Sequence, residues 1–208
     1  MRILFRIILI LLIGILSLSS TPLVQAAPLV ISDEYSSNQN SKQDEFLKEE
    51  CFSKMGVEGL KRCKNLIVQD QFNSEAWNQL GRIYYELENY QEAYLSFRYA
   101  TSLRTDYAIA WANTCAALSQ LRNYEQALNA CNRSLSFSSA SKTSIDEEVL
   151  AWNNKAIVLY FLGRYQESLE ALNEVLSLKP DDSQAKFNRI VVLHALVYAA
   201  STKNDDFT

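Results

Sequence analysis

Glycine, proline and histidine are scarce in this chain, at 5, 3 and 1 of 208 residues. A β-sandwich or barrel needs a turn about every eight to twelve residues, and so few turn formers exclude one. A single histidine, with no cluster of His, Cys, Asp and Glu at ligand spacing, leaves little material for a metal centre, and none is expected. Basic residues do not predominate: 20 Lys and Arg stand against 24 Asp and Glu, a formal charge of −4. Nucleic acid is therefore not an expected partner. What is present is 48% hydrophobic residues, enough to exclude global disorder and to build one core of ordinary size at this length. The expectation is an all-α chain.

The first residues set the compartment. Arg2 and Arg6 precede an apolar run from Ile7 to Leu16, followed by Val24-Gln25-Ala26 with small residues at −3 and −1 of a cut. A basic start, a short apolar stretch and such a site describe a secretory signal peptide over residues 1–26, cleaved after Ala26. The alternative is an uncleaved anchor over residues 3–18, the one way this chain would meet a membrane. Either way the remainder is exported, into a periplasm, a lumen or the exterior. Losing Arg2 and Arg6 leaves 18 basic against 24 acidic residues, a charge of −6. Residues 27–43 are polar without periodicity and read as a flexible linker; residues 201–208 read as a disordered tail.

A fixed period organises what lies between. Trp77 and Trp111 are 34 residues apart, and Trp152 follows 41 later, which is one period plus seven. Aligned on them, three segments share Ala-Trp at the start, a leucine before a turn (Leu87, Leu121, Leu162) and a tyrosine after it (Tyr90, Tyr124, Tyr165). Apolar residues recur at helical spacing on both sides of each turn, so every unit is a helical hairpin.

These segments resemble the tetratricopeptide repeat family, whose 34-residue pattern places Trp, Leu-Gly, Tyr, Ala, Phe, Ala and Pro at set positions. The first unit matches with Trp77, Leu80, Gly81, Tyr84, Ala93, Phe97 and Ala100, and has Thr105 in place of the proline. The second keeps Trp111 and Ala127 but carries Thr114, Cys115, Leu118, Cys131 and Ser134; the third keeps Trp152 and Pro180, with Ala156, Leu159, Ser168, Leu172 and Val175. The resemblance covers residues 74–182 and implies a short right-handed superhelical solenoid of antiparallel hairpins. Repeats then occupy 74–107, 108–141 and 149–182. The small residues let the two helices of a hairpin approach, and the tryptophans are expected in the core. Residues 183–200 supply one more first helix as a cap, and residues 44–73 a degenerate leading hairpin broken at Gly56, about nine helices in all. The seven extra residues fall within Ser138–Asp146, as a longer loop or a longer preceding helix.

An even count of four cysteines in an exported chain suggests disulfides. Cys115 and Cys131 lie eight residues either side of the turn at Asn123, and Cys51 and Cys63 six either side of Val57. Helix axes 8–10 Å apart bring such positions roughly 4–6 Å apart, so the expected pairs are Cys51–Cys63 and Cys115–Cys131. The other readings are four reduced core thiols, or redox chemistry, for which no C-x-x-C stands at a helix start.

In this family the first helices line a concave face that commonly binds a peptide or a partner helix. Alignment then gives Asn78, Arg82, Tyr85 and Glu86; Asn113, Ser119 and Gln120; and Asn153, Asn154, Ile157, Tyr160 and Phe161 as groove residues, with Phe187, Val191 and His194 beyond. One end is polar and the other apolar and aromatic. Family members that hold acidic chaperone C-termini use basic clamp residues; Leu150 and Asn154 stand in their place here, so that ligand is not expected. His194 has no neighbour in the sequence to orient it as a base, and the Asn132-Arg133-Ser134 sequon lies inside a helix. The sequence therefore predicts a non-enzymatic, exported adaptor with a protein partner, no cofactor and no small-molecule substrate. The alternatives are a protein that self-associates through its Phe161/Phe187 end into a homo-oligomer, or, further off, a ligand carrier or enzyme.

Overall fold

The computed structural model describes Lys42 and residues 45–140 and 144–205. The expected signal peptide or anchor, the linker up to Gln43 apart from Lys42, and the last three residues lie outside them. All regular structure in the described residues is helical. In chain order the helices are α1 (45–53), α2 (Gly56–Gln69), α3 (Ser74–Glu86), α4 (Tyr90–Leu103), α5 (Ala108–Gln120), α6 (Tyr124–Ala140), α7 (Ile145–Phe161), α8 (Tyr165–Leu178) and α9 (Ser183–Asp205). Each packs on its neighbours in sequence, and the first helices of successive hairpins, α3, α5 and α7, also touch one another. The result is a short solenoid of antiparallel hairpins. None of the described helices is long and apolar enough to cross a membrane.

One contact repeats along the array. A Cβ on Gly81 would come within 2.5 Å of the Phe97 ring, so the first hairpin closes by seating a phenyl ring on a bare backbone. One period on, Cys115 and Cys131 occupy those two places, and in the third hairpin Ala156 and Leu172 do, all nearly or fully buried. Cys63 lies one period before Phe97, and its partner across the leading hairpin is Cys51. The Cα atoms of Cys51 and Cys63 are 4.5 Å apart and those of Cys115 and Cys131 5.2 Å, with both sulfur pairs at bonding distance. The leading pair is separated by 12 residues and the other by 16. The leading hairpin has thus lost about one helical turn at its bend.

The first helices of the three repeats, α3, α5 and α7, stop in the same way. Glu88, Arg122 and Gly163 all adopt positive φ, at 60°, 59° and 71°. The N–H after each reaches back to the carbonyl five residues before it: Asn89 to Tyr84, Asn123 to Leu118 and Arg164 to Leu159, each 2.9 Å. This left-handed cap suits glycine, and only the third hairpin has one. Glu88→Gly and Arg122→Gly should each raise stability by about 0.5–1 kcal/mol, and Gly163→Ala should lower it, as thermal melts would report. Three first helices, α3, α7 and α9, start on side-chain caps: Asn73 accepts from the Ala76 N–H, Ser144 from Glu147 and Asp182 from Ala185, at 2.9, 3.3 and 2.8 Å, whereas Tyr107 before α5 supplies none.

Three expectations change. The seven extra residues do not make a longer loop: α6 runs to Ala140 and α7 begins at Ile145, so three residues extend one helix and four the other. Four residues separate the two helices, as between α4 and α5. Nothing in this stretch breaks a helix, and Asp146, Glu147 and Glu148 favour its first turn. The last helix likewise runs to Asp205 rather than ending at Ala200, because no glycine or proline interrupts it. The tryptophans are half-buried at the joints between hairpins, packed against the core clusters rather than inside them. Their indole N–H explains why: Trp77 donates to the Gln71 carbonyl and Trp111 to that of Thr105, both at 2.8 Å.

Candidate functional site: the inner faces of the first helices

Two pockets of about 190 Å³ each lie along the first helices. The polar one draws on three of them: Arg82, Tyr85 and Glu86 from α3, Asn113 and Ala116 from α5, Leu150 and Asn154 from α7, over the edge of Phe97. The apolar one lies between α7 and α9, where Ile157, Tyr160, Phe161, Phe187 and Val191 surround a floor that includes Leu172. Ile157 is 39% exposed and Phe161 55%, so the next helix does not cover them.

The expected groove residues fall into these pockets unevenly. Arg82, Tyr85, Glu86, Asn113 and Asn154 meet at the polar pocket, and Ile157, Tyr160 and Phe161 at the apolar one. Asn78 is buried, and its Oδ1 accepts from Asn113 Nδ2 at 2.9 Å, tying α3 to α5. Asn154 Nδ2 donates to the Ala112 carbonyl at 3.1 Å, tying α7 to α5. Asparagines at that repeat position therefore spend their donors between helices. Gln120 donates to the Tyr85 hydroxyl at 3.2 Å and fixes that ring from the rim. Ser119 and Asn153 are half-buried and line neither pocket.

Asn188 stands in the register of Asn113, and Asn153 in that of Asn78, yet the bond is not repeated at the last helix. Asn188 Oδ1 accepts from Gln184 within α9, and Asn153 Oδ1 is buried without a hydrogen-bond partner. The space opened between α7 and α9 is the apolar pocket. A residue that alignment of first helices could not reach shapes it: Tyr124, from the start of α6, stacks on Phe161 with ring centres 5.1 Å apart. Its position one residue after a turn is shared by Tyr90 and Tyr165, and the latter meets Tyr160 at 5.6 Å.

Charge chemistry does not converge here. Burial beside Trp152 lowers the pKa of Lys155, whose Nζ sits 5.0 Å over the indole. Burial raises the Tyr107 phenol. The hydrogen bond from Arg164 holds the exposed Glu167 carboxyl below its ordinary value. None of the three lines either pocket. Among the described residues no three His, Cys, Asp or Glu stand together as metal ligands.

Models of the tetratricopeptide repeat match residues 74–107 and 149–182. The middle hairpin lies between those matches and differs where Cys115, Cys131 and Ser134 replace the family's residues. No curated protein matches the chain by sequence. Among solved structures, it is similar to the first tetratricopeptide domain of human RPAP3 (18% identity, 63% of this chain and 95% of that one, TM-score 0.55). The corresponding domain of Spaghetti, solved with an HSP90 peptide, is similar to the same extent (17%, 62% and 96%, TM-score 0.55). MamA from Desulfovibrio magneticus RS-1 is similar over more of the chain (16%, 85% and 98%, TM-score 0.54). The chain thus carries two tetratricopeptide repeats within a solenoid of the tetratricopeptide type.

Proposed function

We propose that this protein is an exported, non-catalytic scaffold that holds a segment of a protein partner along the inner faces of α3, α5, α7 and α9. The observation that carries the reading is the pair of pockets, one polar and one apolar, on the first helices, the apolar one walled by the exposed rings of Phe161 and Phe187. A cavity of about 190 Å³ is smaller than the range that holds a drug-sized ligand and suits one large apolar side chain. The solved domain of Spaghetti with an HSP90 peptide supports peptide binding by this fold. Leu150 and Asn154 at the polar pocket argue for a partner other than an acidic C-terminus. The basic and apolar leader supports export, and paired cysteines suit an oxidising compartment.

Mature protein beginning at Ala27 should recover a partner from its native envelope fraction. An Ile157→Asp/Phe161→Asp variant should recover at least tenfold less while keeping its far-ultraviolet circular dichroism. No partner beyond the tagged control, or equal recovery by the variant, overturns the reading.

A further inference from the structure

The last helix is apolar on both sides. Ala185 and Val192 are buried on its inner face. At about 100° per residue, Leu193, Val197, Ile190, Phe187, Tyr198 and Val191 fall around the opposite face within an arc of roughly 160°. They range from 37% exposed at Val191 to 68% at Val197 and Tyr198. A helix with apolar side chains on two opposite faces wants a neighbour on each.

The register says what is missing. Ile190 and Leu193 occupy the places of Gly81 and Tyr84, of Cys115 and Leu118, and of Ala156 and Leu159 in the three hairpins. In each hairpin that seam packs against the antiparallel second helix, and α9 has none among the described residues. We propose that α9 of a second copy takes this place, antiparallel, about a twofold axis near Leu193 and His194.

Charge decides the direction. His194 and Lys186 lie within this arc and Arg189 at its edge, and the two cations Lys186 and Arg189 are both in the first two turns of α9. A parallel pair would set them against their own copies. An antiparallel pair separates them and brings Arg189 beside the other copy's Tyr198, where a guanidinium over a ring is favourable. The area suffices: six side chains exposing roughly 100 Å² each give about 600 Å² per copy, at the top of what monomers leave bare. A pair would bury about 1,200 Å², the lower end of specific interfaces. Phe187 and Val191 also wall the apolar pocket, so pairing and a segment held there would compete for them, whereas Ile190, Leu193 and Val197 line neither pocket between the first helices and report on pairing alone.

Sedimentation equilibrium of the purified chain at micromolar concentration tests it. The expected mass is twice that of the monomer, falling to one copy in Ile190→Asp/Val197→Asp with circular dichroism unchanged. Leu193→Cys, next to the axis, should cross-link to itself on oxidation, whereas Phe187→Cys should not. Three results would overturn the pairing: a wild-type monomer, a dimer surviving in the double variant, or a monomer that instead floats with phosphatidylglycerol vesicles.

Discussion

Phe97→Ala should lower the unfolding free energy by about 3–5 kcal/mol, the range for emptying a buried aromatic site. Phe97 is 1% exposed and closes the first hairpin over Gly81. For a chain of this size that corresponds to a melting point roughly 10 °C lower. Gly81→Ala attacks the same contact from the other side: its new methyl would sit 2.5 Å from ring carbons, an overpacking worth about 1–3 kcal/mol. The third hairpin already shows a working alternative, alanine opposite leucine at Ala156 and Leu172. Gly81→Ala/Phe97→Leu copies it. The double variant should therefore lose less than Gly81→Ala and Phe97→Leu added together, a coupling that denaturant titration of these three variants would measure. Strict additivity would show that the two positions do not share one seam.

The rungs were legible in the sequence because they answer to a strict requirement, a small residue facing a large one at fixed height in each hairpin. The hairpins and their turns follow from the spacing of Trp77, Trp111 and Trp152, and both cysteine pairings from their equal distance either side of a bend. What the spacing does not carry is how side chains share their hydrogen bonds. Asn78, Asn113 and Asn154 align as groove residues, yet Asn113 and Asn154 bond to neighbouring helices and Asn78 is buried. The seven extra residues are legible only in part: a longer preceding helix is one of the two readings, but the early start of α7 is not among them, since a polar stretch without glycine or proline suits a helix end as well as a loop. The apolar pocket was only partly visible. Its walls could be aligned, but alignment does not show that the bond from Asn113 to Asn78 has no counterpart between Asn188 and Asn153. That is a property of a terminal helix with a neighbour on one side only.

Both cysteine pairs should be oxidised in the mature protein, giving an intact mass four hydrogens below the reduced value, and the two should differ in what they hold. Each closes a loop worth about 3 kcal/mol in the chain-entropy model. Cys115 and Cys131 sit within one continuous core with Leu118, Leu128 and Leu159, and helices pack on both sides of their hairpin. Replacing both by alanine should cost stability while leaving α5 and α6 docked. By contrast, α1 is nine residues long and buries only Cys51 completely, with Leu47 and Glu50 half-buried. So short a helix is marginal alone, and its remaining ties are Leu47 against the leading core and the ion pair from Glu50 to Arg62. Cys51→Ala/Cys63→Ala should therefore release residues 45–53 to exchange their amide hydrogens near the rate of an unfolded chain. Residues 108–140 should stay protected in that variant. The release should uncover Leu66 and Ile83, buried now beside the disulfide. Protection of residues 45–53 that survives loss of both cysteines would show that apolar packing alone seats α1, and that the first disulfide adds stability without deciding where the array begins.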